Sequence, residues 1–318
     1  QKKTALRQEG DKLYLDVSDV RAASDITWTG AESADWQFGG ANNFRLTEQA
    51  EGSAEYFVTG DVVRFTDEAS KSSVNIRGDI EADSVIVDAS KTYTFKWIGG
   101  IVGATTLVKR GTGNLILQTD NTYTGGTRIS GGKVTVTNLS NENMAYGNLG
   151  AVTTSASKFV IENGAELATS GVITQGSPMQ MAGTEGGVIN NAGDFVVNKA
   201  ISGTVLTKKG SGWMKFNITS SLQRLIITAG TVQCISANKV ANTVEFQGGS
   251  YLENTSSSFT LNVPKGKSGS WSSVDNATYT NKVTGEGTLT IYCSEIKGDG
   301  WFSTRTQLAM DFREFQES

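Results

Sequence analysis

The chain has 318 residues, of which 37 are Gly and only 2 are Pro, and it carries a formal net charge of −4 with no histidine. This composition favours short strands and tight turns over helices, and the scattered Lys and Arg give no basic stripe that would neutralise a phosphate backbone. No apolar run approaches the roughly 20 residues that cross a bilayer, and the lack of histidine excludes Ser-His-Asp and Cys-His catalysis and the commonest zinc ligand. Nucleic acid as a partner, a membrane span in this stretch, and a zinc cofactor are therefore not expected.

In chain order, residues 1–60 are predicted to form a β-rich lead-in or cap, and residues 61–318 a β-helix. The chain starts at Gln1 rather than Met, as expected of an exported product without its signal peptide, and equally of a shortened expressed chain. The last segment, 310–315, reads as a strand that is cut short, so we expect the native polypeptide to continue.

An internal repeat is the main organising feature of the sequence. Residues 107–117 (LVKRGTGNLIL) match residues 206–216 (LTKKGSGWMKF), and the similarity resumes where 129–134 (ISGGKV) matches 227–232 (ITAGTV). A third copy of the core phrase occupies 283–291 (VTGEGTLTI). Repeat phrases near 107–136, 206–234 and 283–293 indicate stacked units, each of which packs only on its neighbours.

Each phrase reads as a short strand, a glycine corner and a second short strand. Apolar residues recur at every second position with polar residues between them, which places one face in a core and the other in water. A rung of about 20 residues with glycine corners predicts an all-β fold, a right-handed parallel β-helix or solenoid. A sandwich or barrel is the alternative, but only Asn163-Gly164 offers an Asn-Gly turn between clear strands, and neither architecture explains the long-range repeat.

The phrase from Gly111 to Leu117, followed by 121–134 (NTYTGGTRISGGKV), resembles the autotransporter-associated β-strand repeat of bacteria. The lead-in with Trp28, Trp36, 61–67 (DVVRFTD) and 84–87 (SVIV) also resembles such proteins, so the resemblance covers about the first half of the chain and weakens after it. It implies an exported protein whose right-handed β-helix is displayed at the cell surface, often within a larger passenger with adhesive or enzymatic function. The resemblance transfers no catalytic residue.

Carboxylates and basic residues remain as candidates for chemistry on carbohydrates, because glycoside hydrolysis needs two suitably spaced carboxyl groups. On the wet faces of a β-helix such residues are more often solvated surface, and the alignment of Arg110 with Lys209 in the repeat indicates a repeat position. The candidate acids are Asp79, Glu81 and Asp83, the pair Glu162 and Glu166, and the pair Asp61 and Asp67; the candidate lyase bases are Arg110, Lys208 and Lys209.

Other short motifs have structural interpretations. Gly266-Lys267-Ser268 lacks the upstream glycine of a phosphate loop, and Gly111-Thr112-Gly113 recurs as a corner instead of opening a dinucleotide site. Gly298-Asp299-Gly300 is too short for a calcium repeat. Cys234 and Cys293 both continue alternating apolar sets, which favours buried thiols over a disulfide.

The tryptophans are the candidates for contacts with sugar rings, since exposed aromatics offer flat apolar faces. Trp97 shares parity with Phe95 and is predicted to be buried, whereas Trp213 lies opposite in parity to Met214 and is the best candidate for an exposed ring. The remaining four are Trp28, Trp36, Trp271 and Trp301.

Two hypotheses of function follow. The first is a bacterial secreted or cell-surface β-helix that acts as a non-enzymatic adhesion or display platform, with a surface glycan or a host or other extracellular molecule as partner and no cofactor or metal. The alternative is a carbohydrate-active β-helix, either glycan-binding or a polysaccharide lyase or hydrolase. A convergent cluster of acids, bases and aromatics in a groove would favour the alternative, and dispersal over every face would favour the platform.

Overall fold

The structure is a computed structural model that describes residues 3–18, 21–49, 53–141, 143–235, 239–253, 258–273, 281–296 and 303–311. These residues form a parallel β-solenoid of about 11 turns, so the predicted fold class is confirmed. One 3-10 turn, Ala156–Lys158, is the only helical element in those ranges. The strands are β1 Lys3–Glu9, β2 Lys12–Ser18, β3 Asp25–Trp28, β4 Asp35–Trp36, β5 Phe44–Leu46, β6 Val62–Phe65, β7 Ser73–Ile76, β8 Asp79–Ile80, β9 Ser84–Asp88, β10 Tyr93–Lys96, β11 Gly100–Ile101, β12 Thr106–Arg110, β13 Asn114–Leu117, β14 Gly126–Ile129, β15 Lys133–Val136, β16 Phe159–Glu162, β17 Glu166–Thr169, β18 Ile173–Gln175, β19 Met179–Ala182, β20 Gly187–Asn191, β21 Phe195–Val197, β22 Ile201–Lys209, β23 Trp213–Phe216, β24 Ser221–Ile227, β25 Thr231–Cys234, β26 Ala241–Phe246, β27 Ser250–Glu253, β28 Thr260–Val263, β29 Ser268–Ser273, β30 Lys282–Gly285, β31 Thr288–Ile296 and β32 Ser303–Asp311.

The strands stack in three ladders, which we name A, B and C in the order in which a rung passes through them. Ladder A contains β3, β6, β9, β12, β14, β16, β19 and the first parts of β22, β24 and β26. Ladder B contains β4, β7, β10, β13, β15, β17, β20 and the second part of β22, and it continues through β24, β26, β28 and β30. Ladder C contains the short pair β8–β11 and, further along, β18, β21, β23, β25, β27, β29 and β31.

The alternation read from the sequence sets the inside and outside of each ladder. Leu115 and Leu117 of β13 are fully buried, and so are Met214 and Phe216 of β23, while the residues between them face outward. The predicted period-two core is therefore confirmed. Parallel pairing satisfies the backbone groups between rungs, so each rung depends on its neighbours above and below.

Glycine corners allow the rungs to approach each other closely. Gly111 has φ +64°, and a Cβ there would lie 2.5 Å from the backbone N of Ala89 on the rung above. At Gly203, inside β22, φ is +118° and a Cβ would lie 2.0 Å from the carbonyl oxygen of Met181. Both positions therefore require glycine for conformation and for space.

The first rungs are closed by aromatic side chains. β5 pairs antiparallel with β3, and Trp36 lies 5.6 Å from Phe57, 5.3 Å from Phe65 and 5.9 Å from Phe95, measured between ring centroids. Trp28 and Trp36 are both fully buried. These contacts pack large apolar side chains into the core of the first rungs, to which β3 and β4 belong.

Two antiparallel pairs depart from the parallel stack. β1 pairs with β2, and β32 pairs with β31 over the full length of both strands. Met310 and Asp311 of the predicted last strand lie in β32, and 312–315 lie outside the described residues. None of the residues in the described ranges forms a helix that is long and apolar enough to span a membrane.

The structure excludes a bond between the two cysteines. Cys234 pairs with Glu253, Glu253 with Ser273, and Ser273 with Cys293, so the cysteines are three ladder steps apart. At roughly 4.8 Å per step they are about 14 Å apart, whereas a disulfide requires Cα atoms closer than about 7 Å. Cys234 is buried and forms no disulfide, which confirms the prediction for that residue.

The matching phrases 107–117 and 206–216 lie on different faces of the solenoid. The first spans β12 and β13, so its glycines turn the chain from ladder A to ladder B. The second spans β22 and β23, and its glycines turn the chain from ladder B to ladder C. The repeat therefore encodes a corner with its two flanking strand ends rather than a fixed face.

Candidate binding surface

The candidate carboxylates do not form one cluster. Asp79, Glu81 and Asp83 are exposed and alternate with buried Ile80 and Ala82, as expected for one wet face. Glu162 belongs to ladder A and Glu166 to ladder B, on either side of the corner at residues 163–164.

All four acids of the pairs Glu162/Glu166 and Asp61/Asp67 have hydrogen-bond or ion-pair partners in the protein. Glu162 Oε2 lies 2.6 Å from Arg128 Nη1, and Glu166 Oε1 accepts a hydrogen bond of 3.0 Å from Asn190 Nδ2. Asp67 accepts hydrogen bonds from the backbone N–H groups of Ser90 and Lys91, and these bonds lower the pKa of its carboxyl. These acids link one rung to another.

The prediction that Asp61 is a solvated surface acid is wrong. Its side chain is fully buried, and both oxygens accept bonds of 2.7 Å from the Arg21 guanidinium. The backbone N–H groups of Ser24 and Val58 also donate to it, at 2.9 and 2.8 Å. A buried carboxylate with four donors is satisfied by its partners and holds residues 21–24 against the first rungs.

Lys208 is also buried, so its assignment to the solvated surface is wrong. The other two candidate bases are exposed: Lys209 Nζ lies 3.9 Å from Glu166 Oε2, and Arg110 lies at the end of β12. The Nζ atom of Lys208 donates to the carbonyl oxygens of Lys209 and Gly210 at 2.7 Å and of Ala229 at 3.3 Å. The ladder neighbours of Lys208 are Ile189 and Ile227, so this lysine occupies a core column and reaches back to the corner.

Lys109 is the counterpart of Lys208 in the first repeat phrase, and it has the same contacts at the corner between ladders A and B. It is buried between Val87 and Ile129, and Nζ donates to the carbonyl oxygens of Arg110, Gly111 and Gly131. Burial lowers the pKa of each lysine to about 8. The repeated Lys is therefore a corner residue whose ammonium group binds backbone carbonyls, and its role is structural.

The tryptophans divide into buried and exposed rings. Trp213 is 40% exposed, as predicted, and Trp271 is buried. The prediction for Trp97 is wrong, because the residue is 51% exposed. β10 ends at Lys96, and Trp97 takes φ +99°, so the alternation that buries Phe95 no longer applies. Trp301 lies outside the described residues.

Exposed apolar side chains gather where ladder B turns into ladder C. Ile98, in the turn between β10 and β11, is 92% exposed, and Val172, just before β18, is 72% exposed. The register of ladder C places Val172 in one column with Trp213. Trp97 precedes Ile98, and Phe38 lies at the same turn two rungs earlier. We name this row, Phe38, Trp97, Ile98, Val172 and Trp213, the aromatic edge.

Each of the two tryptophans of the aromatic edge lies beside a cation that is paired with an acid. The Arg77 guanidinium carbon lies 4.9 Å from the ring centroid of Trp97, and Arg77 Nε is 2.7 Å from Asp35 Oδ2. Hydrogen bonds from Arg77, and then from Asn75, lower the pKa of Asp35. Each of these contacts fixes the cation against the ring face.

At the other end of the edge, Lys215 Nζ lies 5.8 Å from the ring centroid of Trp213 and 2.6 Å from Asp194 Oδ2. The second cluster thus repeats the acid, the cation and the tryptophan of the first. Five ladder steps separate the two, from β10 through β13, β15, β17 and β20 to β22. At roughly 4.8 Å per step, the clusters are about 24 Å apart along the axis.

A segment that breaks the repeat, 137–158, lies between β15 and β16 and was not predicted. It contains exposed Tyr146 and borders a cleft of about 240 Å³ lined by Tyr123, Thr127, Lys158 and Ser177. Tyr123 Oη lies 2.7 Å from Thr127 Oγ1, Lys158 Nζ donates to the carbonyl of Gly125, and Ser177 Oγ accepts from the N–H of Thr153. The polar groups of the cleft therefore bond to the protein itself.

No group of three or more metal-ligating side chains occurs in the part of the chain that the structure describes. The geometry thus defines a parallel β-solenoid repeat protein with a row of exposed aromatic and aliphatic side chains on one edge and carboxylates that pair across rungs. Its lysine and glycine corners mark the repeat.

The comparisons with known proteins identify the repeat. The passenger-associated-transport-repeat family matches residues 107–136. The chain is 35% identical over 126 residues to the adhesin BmaC autotransporter of Brucella suis biovar 1 (strain 1330), which covers 37% of this chain and 4% of that protein. No solved structure matches. Residues 107–136 thus carry an autotransporter-associated repeat, as the sequence resemblance indicated.

Proposed function

We propose that this chain is part of an exported, cell-surface passenger and acts as a non-enzymatic, adhesin-like platform. The observation that carries the proposal is the pairing of charged side chains between neighbouring rungs. The cations Arg128 and Arg224 lie 2.6 and 3.4 Å from Glu162 and Glu245 on neighbouring rungs, which supports a scaffold rather than a catalytic cluster. The name of the Brucella relative, an adhesin, supports the same conclusion.

The solenoid suits this role for a physical reason. Each rung is held by parallel hydrogen bonds and a buried core, so the outward side chains are kept at fixed spacing without help from a ligand. A binding surface that is already ordered loses little conformational entropy when it engages a partner. The aromatic edge is the part of the described surface that best fits such contacts.

The test is an adhesion assay with the purified chain on beads. Coated beads should bind host cells or immobilised extracellular matrix above beads that carry an unrelated exported β-solenoid, and the chain should release no reducing or unsaturated sugar from polysaccharides. Adhesion no better than the control would overturn the adhesive function. Product release that disappears in Glu162→Gln or Glu166→Gln would instead establish the carbohydrate-active alternative.

Surface location has a separate test. Antibody against this chain should label intact cells of the native organism, and protease added outside those cells should remove the label. Labelling that requires permeabilised cells would contradict export.

A further inference from the structure

We infer that the two acid–cation–tryptophan clusters on the aromatic edge are two subsites for one ligand, an unbranched polysaccharide of neutral pyranose residues that lies along the solenoid axis. The inference rests on the proposed adhesive function and names the class of molecule that this surface would bind. Its evidence is the repetition of one constellation, Asp35–Arg77–Trp97 and Asp194–Lys215–Trp213, at one edge of the fold.

The chemistry of each cluster fits a sugar. A pyranose has an apolar face of C–H groups, which packs on an exposed indole, and a rim of hydroxyls, which bond to charged groups beside the ring. Arg77 and Lys215 supply N–H donors, and Asp35 and Asp194 supply acceptors. Because each acid already neutralises its cation, neither cluster offers a net charge to an anionic ligand.

The backbone at Trp97 is a second, independent observation. A bulky residue at φ +99° is uncommon and strained, and such strain persists where the surrounding structure holds it. Here it turns the side chain out of the core and under the Arg77 guanidinium, and the residue is about half exposed. The chain therefore orders an exposed tryptophan before any ligand binds.

The spacing of the clusters favours a long ligand over a folded protein. A stable protein partner needs a continuous patch of about 800 Å² on each side, with an apolar centre. The edge instead presents single apolar side chains, with Asp194 in the same column between Val172 and Trp213. A polysaccharide repeats a small apolar face and a polar rim along its length, so it can meet both tryptophans at once.

The test is affinity electrophoresis in native gels that contain hydroxyethylcellulose, xylan or mannan, with heparin as an anionic comparison. The native chain should be retarded by at least one of the three neutral polysaccharides. Trp97→Ala and Trp213→Ala should each weaken the apparent affinity by about tenfold or more, since loss of one of two linked subsites removes the avidity, and the double variant should not be retarded. Ile235→Ala, an exposed apolar residue after β25 and away from the edge, should behave as the native chain.

The variants must be shown to fold. Circular dichroism and the thermal midpoint should match those of the native chain, and Trp97→Phe and Trp213→Phe, which keep an aromatic face, should retain part of the retardation. The inference is overturned if no neutral polysaccharide retards the native chain, if heparin alone does so, or if folded tryptophan variants are retarded as strongly as the native chain. Adhesion assays with beads separate the two proposals. If beads that carry the double variant adhere as well as native beads, the polysaccharide subsites are contradicted and the adhesive function stands. If native beads fail to adhere, the adhesive function itself is contradicted.

Discussion

Replacing the two corner lysines with methionine should remove a pH dependence from the stability of the solenoid. Burial lowers the pKa of Lys109 and Lys208 to about 8 from an ordinary value of 10.5. Between these two values the unfolded chain holds a proton that the folded chain has lost, so the stability rises with pH. The stabilisation is complete above pH 10.5 and is lost as the pH falls through 8.

The magnitude follows from these values. Raising the pH from 7.5 to 9.5 should increase the free energy of unfolding by about 2 kcal/mol for each lysine, or about 4 kcal/mol for both. For a chain of this size the thermal midpoint should rise by an amount on the order of 5 °C or more. Buried Tyr93 and Tyr123 have pKa values raised by burial and act in the opposite direction above pH 10, so the comparison ends at pH 9.5.

The assay is thermal unfolding at pH 7.5 and 9.5, followed by circular dichroism, for the native chain and for Lys109→Met with Lys208→Met. Methionine matches the length and the burial of lysine but has no ammonium to desolvate. Lys209→Met, the exposed neighbour, is the control and should keep the native rise. A double variant whose midpoint rises as much as that of the native chain would refute the reasoning, because the pH dependence would then come from other groups.

Three further predictions concern the core. Trp36→Ala should lower the free energy of unfolding by about 3–5 kcal/mol in denaturant titrations, since the side chain is fully buried among aromatic rings, and a loss below 1 kcal/mol would contradict that packing. Gly203→Ala should lower the free energy of unfolding by at least about 3 kcal/mol in the same titration, because its Cβ would overlap a carbonyl oxygen. Gly266→Ala is the control: it has φ +72° and open space, and it should lower the free energy of unfolding by only about 1–2 kcal/mol. Equal losses of stability in the two variants would exclude the clash as the cause. When the chain is alkylated in denaturant without reductant, its intact mass should show that both Cys234 and Cys293 are modified. Alkylation of the folded chain should leave buried Cys234 unmodified. An intact mass that corresponds to one intramolecular disulfide would contradict the three-step separation of the two cysteines.

Much of this fold can be read from local sequence. Period-two alternation and glycine corners are local consequences of strand geometry and of positive φ, so the alternation alone places Leu115, Leu117, Met214 and Phe216 in the core. The repeat then indicates stacking, because one rung cannot bury its own apolar face. Neither pattern says which face a given phrase occupies, since a corner looks the same between any two ladders.

The binding surface was less predictable, for specific reasons. The parity rule failed at Trp97 because the strand ends one residue earlier and φ changes sign. Lys109 and Lys208 share parity with Leu107 and Leu206, so a signal for their burial was present, but a lysine is usually assigned to the wet face. Neighbours across rungs, such as Arg77 beside Trp97, depend on the exact length of each turn, which the sequence pattern does not show.

The stacking of the rungs also determines how the protein responds to mechanical load. Tension along the solenoid axis pulls on the hydrogen bonds of the ladders, which join successive rungs in series. A rung occupies roughly 4.8 Å of the axis when it is stacked, but its roughly 20 residues can extend to about 70 Å once it detaches. Each detached rung therefore contributes more than ten times its stacked length while the remaining rungs stay folded. In the adhesive role proposed above, such a chain would absorb the work of a pull one rung at a time.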